Sequence, residues 1–318
     1  MGPQWSQLFP PTAEFTEKNV PDQTGKVFIV TGSSSGVGKE LAQILYSHNA
    51  KVYIAARSID KATKAIESIK SNFPNSKGQL VFLKLDLNDL TTVKASAEEF
   101  LSKEEKLDVL WNNAGVMTPP QGSKTKQGYE LQIGTNNVAP FLFTKLLTPI
   151  LAKTAKTAPT GTVRVVWTSS SAAENFAPKG GVVMDNLDYK TDKAAWHKYG
   201  VSKAGNVFHC TEYAKRRMEL TLNPGNLKSG LQRHVPFVAR TLMNTILYTP
   251  IHGAYTELFG GLSPEVTPAM TGAWIQPWGR FVPLKADLVE SSKSKADGGT
   301  GVAAQFWDWS EEQVKPYL

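Results

Sequence analysis

Tyr199 and Lys203, in the run Tyr199-Gly200-Val201-Ser202-Lys203, stand four positions apart. On a helix that spacing is one turn, so both side chains share a face. A phenol near pKa 10 is a poor acid or base at neutral pH, and a nearby ammonium favours the phenolate, every tenfold gain in acidity corresponding to roughly 1.4 kcal/mol. A tyrosine tuned in this way can give a proton to a carbonyl oxygen as hydride arrives, or take it back in the reverse direction. Helices contain such pairs by chance, so this one gains meaning only from the residues around it.

A second chemical feature lies far upstream. The apolar run Lys26–Val30 leads into Thr31-Gly32-Ser33-Ser34-Ser35-Gly36-Val37-Gly38 and then a helix-like segment. Glycines let a backbone turn sharply and approach a pyrophosphate, whose charge a helix N-terminus stabilises. Gly32, Ser34, Ser35, Gly36, Val37 and Gly38 are therefore candidate phosphate-binding positions. At the end of the next apolar run, Ala55-Ala56-Arg57-Ser58 carries a guanidinium and a hydroxyl where an acidic residue would select a free ribose hydroxyl. Arg57 and Ser58 suit a 2′-phosphate, which predicts NADP(H) as cofactor. Further on, Asp86 and Leu87 are candidates for the adenine side, although Asp86 reads equally well as a helix N-cap.

Regular elements must bring these groups together. Short runs rich in β-branched residues occur at Lys26–Val30, Lys51–Ala56, Leu80–Leu85, Leu107–Trp111 and Thr162–Thr168. Their continuous hydrophobicity suits strands covered on both faces. Between them, Val37–Ser47, Ile59–Asn72, Leu90–Lys103 and Tyr129–Ala155 read as helices, with Pro140 disturbing the last. Alternation of this kind predicts a Rossmann-type, doubly wound parallel sheet in a three-layer α/β/α arrangement. The C-terminal ends of its strands share one edge. Asn112-Asn113-Ala114-Gly115, Ser169-Ser170-Ser171 and the Tyr199 helix should meet there.

Composition narrows the function classes. The chain has 318 residues, a formal charge of +7, 41% hydrophobic residues and a single cysteine, Cys210. One cysteine allows no internal disulfide and no cysteine zinc cage, which points to a reducing, cytoplasmic setting. The basic residues are scattered, so an anionic small ligand explains the charge better than nucleic acid does. No run of about 18 apolar residues predicts a membrane span, and the N-terminus lacks a secretory pattern. His48, His197, His209, His234 and His252 show no metal spacing, so no metal is expected. Cys210, Trp307 and Trp309 read as packing residues.

Taken in order, TGSSSGVG, NNAG, the serine-ended fifth strand and YGVSK resemble the short-chain dehydrogenase/reductase family, across about Gly25 to Pro224. The leader EFTEKNVPDQTGKVFIVTG and the tail GGTGVAAQFWDW are similar to its fungal, retinol-dehydrogenase-like branch. The resemblance implies Tyr199 as general acid/base, with Lys203 lowering its pKa and holding the nicotinamide ribose. It implies Ser170, or its neighbour Ser169, as the hydroxyl that orients the substrate carbonyl. Asn136, with Asn137 as alternative, would position a water in the proton relay. Asn113, Ala114 and Gly115 would meet the cofactor, and Pro224, Gly225, Leu227 and Ser229 would lie near its carboxamide. The sixth strand, within Glu219–Asn223, is expected to be short.

One domain, 1–318, is expected, with a leader (1–24), a cofactor-binding and catalytic core (25–224) and a substrate-lid and C-terminal segment (225–318). Leu231–Leu262 is apolar enough to line a hydrophobic pocket or to contact a membrane surface peripherally. Ser291–Gly301 reads as a polar, mobile linker before a terminal helix at Val302–Val314. The expected activity is hydride transfer between NADP(H) and an apolar ketone, aldehyde or alcohol, in secondary metabolism and by a homo-oligomer. A non-catalytic NADPH-binding regulator is the alternative.

Overall fold

The structure, a computed structural model, describes residues 5–228, 230–234 and 247–318. Its sheet has eight strands: β1 (Val27–Thr31), β2 (Lys51–Ala56), β3 (Gln79–Lys84), β4 (Val109–Asn112), β5 (Arg164–Thr168), β6 (Glu219–Leu222), β7 (Trp274–Gln276) and β8 (Arg280–Phe281). The spatial order is β3-β2-β1-β4-β5-β6-β7-β8, parallel throughout except for the antiparallel β7–β8 pair. Strand order reverses between β1 and β4, and that is where such sheets open a ligand crevice.

Both faces of the sheet are covered, which is why the strand sequences are apolar without alternation. Phe28 and Val30 of β1 face a core with Leu41, Leu45, Ile54 and Trp111. The intervening Ile29 faces the opposite core with Tyr53, Leu110 and Phe143. On the first face lie α1 (Gly36–Ser47), α2 (Ile59–Asn72) and α6 (Pro250–Leu262); on the second lie α3 (Leu90–Lys103), α4 (Ala139–Ala155), α5 (Ala195–Ala214) and α8 (Val302–Val314). A short α7 (Ala286–Ser292) precedes the last of these. Trp307 packs edge-on against Phe141 and Tyr213, and Trp309 against Tyr129, which seats α8 on the body.

Local chemistry sets the element boundaries. Ser58 caps α2 by accepting from the Lys61 amide, and Asp89 caps α3 by accepting from that of Thr91. Asp86 therefore is not the cap: its Oδ1 accepts from the Asn88 amide at 3.0 Å, within the turn before α3. The chain between Tyr213 and β6 is tight. There the Thr271 hydroxyl donates to the Arg217 carbonyl and accepts from the Glu219 amide, bridging the short link.

Three sequence expectations change. The predicted helix Tyr129–Ala155 is broken: a turn at Leu131–Ile133 passes into a π-helical turn, Gly134–Val138, before α4. Pro140 has no amide to donate to the Asn136 carbonyl, so regular α-helical bonding cannot run through this point. The linker Ser291–Gly301 begins inside α7, with Ser291 buried, and is stitched by amide bonds from Thr300 to Glu290 and from Gly301 to Lys293. In the expected pocket-lining segment, Pro250–Leu262 is instead a helix whose Ala254, Leu258 and Phe259 cover the sheet. Its apolar residues are spent on the core, and residues 235–246 of that segment lie outside the described residues.

Leu131–Ala155, taken as one run, is long and apolar enough by composition to cross a membrane. Most of α4 is buried against α3 and the sheet, as expected of a core helix.

Candidate active site

The phosphate loop is bolted to β4. Asn113 Nδ2 donates to the Thr31 carbonyl at 2.7 Å, and the Ala114 amide donates to Thr31 Oγ1 at 2.9 Å. Ser33 Oγ donates to the Val30 carbonyl at 2.7 Å, so this serine serves the loop itself. A Cβ on Gly38 would lie 2.5 Å from Asn113 Nδ2, and one on Gly32 2.9 Å from Ala114 Cα. These two glycines are thus required by close packing, and Gly32 and Gly36 also have positive φ. Ser35 precedes α1 without making a side-chain cap, leaving the first-turn amides to be satisfied from outside the helix. Ser34 and Val37 flank it, half-buried.

Arg57 is exposed at the end of β2 and makes no hydrogen bond or ion pair among the described residues. Beside it, Ser58 is occupied as a helix cap. Asp86 is half-buried and Leu87 buried at the end of β3, along the same edge.

At the edge beyond β4 and β5, the proton-transfer groups meet. Tyr199 and Lys203 share one face of α5, both deeply buried, with Lys203 Nζ 5.7 Å from the Tyr199 ring centroid. The two serines at the end of β5 divide the work. Ser169 Oγ donates to the Lys203 carbonyl at 2.7 Å, which pins α5 to the sheet. The Ser170 hydroxyl instead accepts from the Ala172 amide at 3.2 Å and lies beside the Tyr199 phenol, whose pKa it lowers. Burial pushes the Tyr199 pKa up to about 12, and the nearby Ser170 hydroxyl only partly opposes this. The Lys203 ammonium donates to the Thr168 carbonyl at 2.8 Å. Burial also brings Lys203 down to about 8.

Asn136 and Asn137 sit on the π-helical turn with separate partners. Asn136 Oδ1 accepts from the Val116 amide at 2.8 Å, while its Nδ2 donates to the Val116 carbonyl and to Ser202 Oγ, both at 3.0 Å. It therefore splices the chain after NNAG to α5. Asn137 Nδ2 donates to the Ser202 carbonyl and to Asn206 Oδ1, both at 2.8 Å, further from Tyr199 along α5. A Cβ on Gly115 would stand 3.2 Å from Asn136 Oδ1 and 3.4 Å from Lys203 Nζ, so this glycine keeps the approach to both groups narrow but open.

Around Tyr199 the surface is apolar. Met117, Ala172 and Leu231 pack with it, and Trp196 meets its ring edge-on at 5.9 Å. Trp196 in turn lies 4.9 Å from Phe176, and these two rings are 37% and 47% exposed. An aromatic path thus leads from solvent to the phenol. Beyond β6, Gly225 has φ +98°, and a Cβ there would reach within 2.5 Å of the Trp278 ring. Pro224 is half-buried, and Leu227 is buried against Val37 and Gly253, so this loop abuts the start of α1. Ser229 lies outside the described residues. The buried Gln7 carboxamide ties this loop to the serine side: it accepts from Asn223 Nδ2 and donates to Glu174 Oε2, both at 2.8 Å.

The short chain dehydrogenase family model matches residues 26–207. The chain belongs to the short-chain dehydrogenase/reductase family. Among its curated relatives, a short-chain dehydrogenase/reductase of Phomopsis amygdali is 52% identical, over 99% of this chain and 97% of its own length. One of Emericella nidulans is 49% identical over 95% of this chain and 97% of its own. Among solved structures, a protein from Mycobacterium paratuberculosis superposes with a TM-score of 0.68 at 25% identity, covering 95% of this chain and 97% of that one. A structure from Escherichia coli CFT073, solved with NADPH, gives 0.58 at 21% identity, covering 80% and 96% respectively. The short-chain dehydrogenase/reductase fold is thus shared well beyond the fungal relatives.

Some residues at the site of this short-chain dehydrogenase/reductase escape a reading of the sequence. Phe176 and Trp196 lie in the insertion between the serines and the tyrosine, where no periodicity marks a wall. Gln7 is far away in sequence and carries no motif. Glu257 has a signal: it is the one carboxylate in the apolar stretch Pro250–Leu262.

Proposed function

We propose that this oxidoreductase uses NADP(H) to interconvert an apolar carbonyl compound and its alcohol. The observation that carries the reading is Tyr199 buried beside Lys203 on one face of α5, with the Ser170 hydroxyl next to the phenol, at the edge where the glycine loop also opens. The residues present fit a dinucleotide phosphate: the α1 amides lack a side-chain cap, Gly32 and Gly36 hold positive φ, and Arg57 is an unengaged cation among the described residues. The E. coli structure bound to NADPH lends the same cofactor weight by likeness of fold. When bound, the cofactor supplies or accepts the hydride.

Each remaining task falls to the chain. Ser170 orients the substrate oxygen and shares its developing charge. Tyr199, a neutral phenol at pH 7, is charged with the proton that a reduced carbonyl requires. Lys203 holds positive charge beneath it and would meet the ribose hydroxyls, while Gly115 and Ala114 permit that approach. Asn136 positions the chain around them, and its carbonyl, denied its usual α-helical donor by Pro140, is the natural acceptor for a relay water. Met117, Ala172, Leu231, Trp196 and Phe176 favour an apolar substrate.

The test is NADPH oxidation with a panel of apolar ketones and aldehydes, for the wild type and Tyr199→Phe. Loss of roughly a thousandfold or more in kcat supports the reading, in line with removal of a general acid. Turnover indifferent to the change would sink it, and NADPH binding without turnover in the wild type would favour a regulatory protein.

A further inference from the structure

The side of the sheet facing away from Tyr199 holds a buried carboxyl that the mechanism above does not use. Glu257, on α6, is fully buried, and its Oε1 accepts from Thr168 Oγ1 at 2.9 Å. Its Oε2 has no partner among the described residues. Thr168 is the residue whose backbone carbonyl accepts from Lys203 Nζ. One residue at the end of β5 therefore touches Glu257 through its hydroxyl and Lys203 through its carbonyl, with α6 on one face of the sheet and α5 on the other.

We propose that Glu257 is a positioning residue, the buried counter-charge that keeps Lys203 protonated from across the sheet. This rests on the oxidoreductase reading for its consequence in turnover, but the pairing itself can be measured without turnover.

The surroundings single out this pair. Among the described residues, Lys203 is the only charged group that acts on the Glu257 carboxyl, and Glu257 the only one that acts on Lys203, each favouring the other's ionised form. The remaining charges around α6 are engaged elsewhere. Arg164 of β5 donates to the Gly260, Ser263 and Val266 carbonyls at the far end of the helix, and Glu40 of α1 acts on Tyr255. Trp111 of β4 donates to the Glu257 backbone carbonyl rather than to its carboxyl. β6 and β7 present Leu220, Leu222 and Ile275. An opposite charge buried nearby favours the ammonium and so works against the burial that lowers Lys203.

Burial raises the Glu257 carboxyl to about 8, the value to which it lowers Lys203. Burial works against the charge of both groups, while each charge, once present, favours the other. As pH rises, the new negative charge holds the ammonium in place, which extends the alkaline limit of the site.

The experiment follows the Lys203 side-chain ¹³Cε resonance of the uniformly folded protein against pH, identified by its loss in Lys203→Met. It is paired with the pH profile of kcat. Glu257→Gln keeps an acceptor for Thr168 but removes the charge, and it should lower the Lys203 midpoint by about one pH unit. The alkaline limb of kcat should move down with it, with KM for NADPH unchanged. Thr168→Val leaves the carboxyl but removes its hydroxyl donor. It should delay ionisation of Glu257 and lower the Lys203 midpoint by a smaller amount, which serves if Glu257→Gln does not fold. Midpoints unchanged in the variants that fold overturn the proposal. A lowered midpoint in a protein that reduces no carbonyl would leave the pair standing and remove the oxidoreductase reading instead.

Discussion

Gly200 stands where a Cβ would lie 2.3 Å from the backbone nitrogen of Ala177 and 2.5 Å from the carbonyl carbon of Phe176. The residue after Tyr199 thus lets the segment following Ser170 press directly onto α5. Gly200→Ala must push the two apart and separate the Ser170 hydroxyl from the phenol. A misplacement of this order costs about a hundredfold in kcat. NADPH affinity, measured by fluorescence titration, should be unchanged, since the phosphate loop is remote; a parallel loss of binding would refute this account.

The two serines at the end of β5 should fail differently. Ser170→Ala removes the group beside the phenol and should lower kcat about 10²–10³-fold with the fold intact. Ser169→Ala removes a buried bond to the Lys203 carbonyl and should appear mainly as a loss of about 1 kcal/mol in thermal or urea unfolding. Steady-state kinetics and melting curves on both variants separate the roles, and an exchange of the two phenotypes would reassign them.

The proposed preference for NADP(H) turns on Arg57. Arg57→Asp should raise KM for NADPH by about 10–100-fold, the worth of a charged hydrogen bond to phosphate, and bring NADH level with it or ahead. A wild type that already prefers NADH would overturn this assignment without touching the fold.

His209 should make the protein acid-sensitive. It is buried among Phe141, Trp167 and Phe306, and burial lowers its pKa from 6.5 to about 3. Below pH 6.5 the unfolded chain takes up a proton that the folded one refuses. Stability should therefore fall by about 1.4 kcal/mol for each pH unit from 6.5 down towards 3, on top of other groups. Urea unfolding at pH 7 and pH 5 checks the slope, which His209→Gln should reduce.

The parts of this molecule that can be read from sequence are those governed by local rules. β1, the glycine turn and α1 follow one another as periodicity and turn chemistry require, and α8 runs over the predicted Val302–Val314. β7 and β8 escape such a reading because strands of three and two residues leave no pattern. The choice between Ser169 and Ser170 is open in sequence because it depends on which way each side chain points at a strand end. The hydrogen bonds of this structure give each serine a different partner, the Lys203 carbonyl for Ser169 and the Ala172 amide for Ser170. The Phe176–Trp196 wall and Glu257 depend on contacts between distant segments, for which spacing offers no warrant.

The Gln7 carboxamide turns its oxygen and its nitrogen to opposite banks of the crevice: Asn223 beside the Pro224-Gly225 turn, and Glu174 beyond Ser170. Its two bonds act as a tie-rod across the mouth. The bank that would hold the nicotinamide and the bank that would shape the substrate cannot shift independently while it is in place. Widening this enzyme's substrate range by redesigning one bank alone would strain the other, so the first residues of the chain belong in any such redesign.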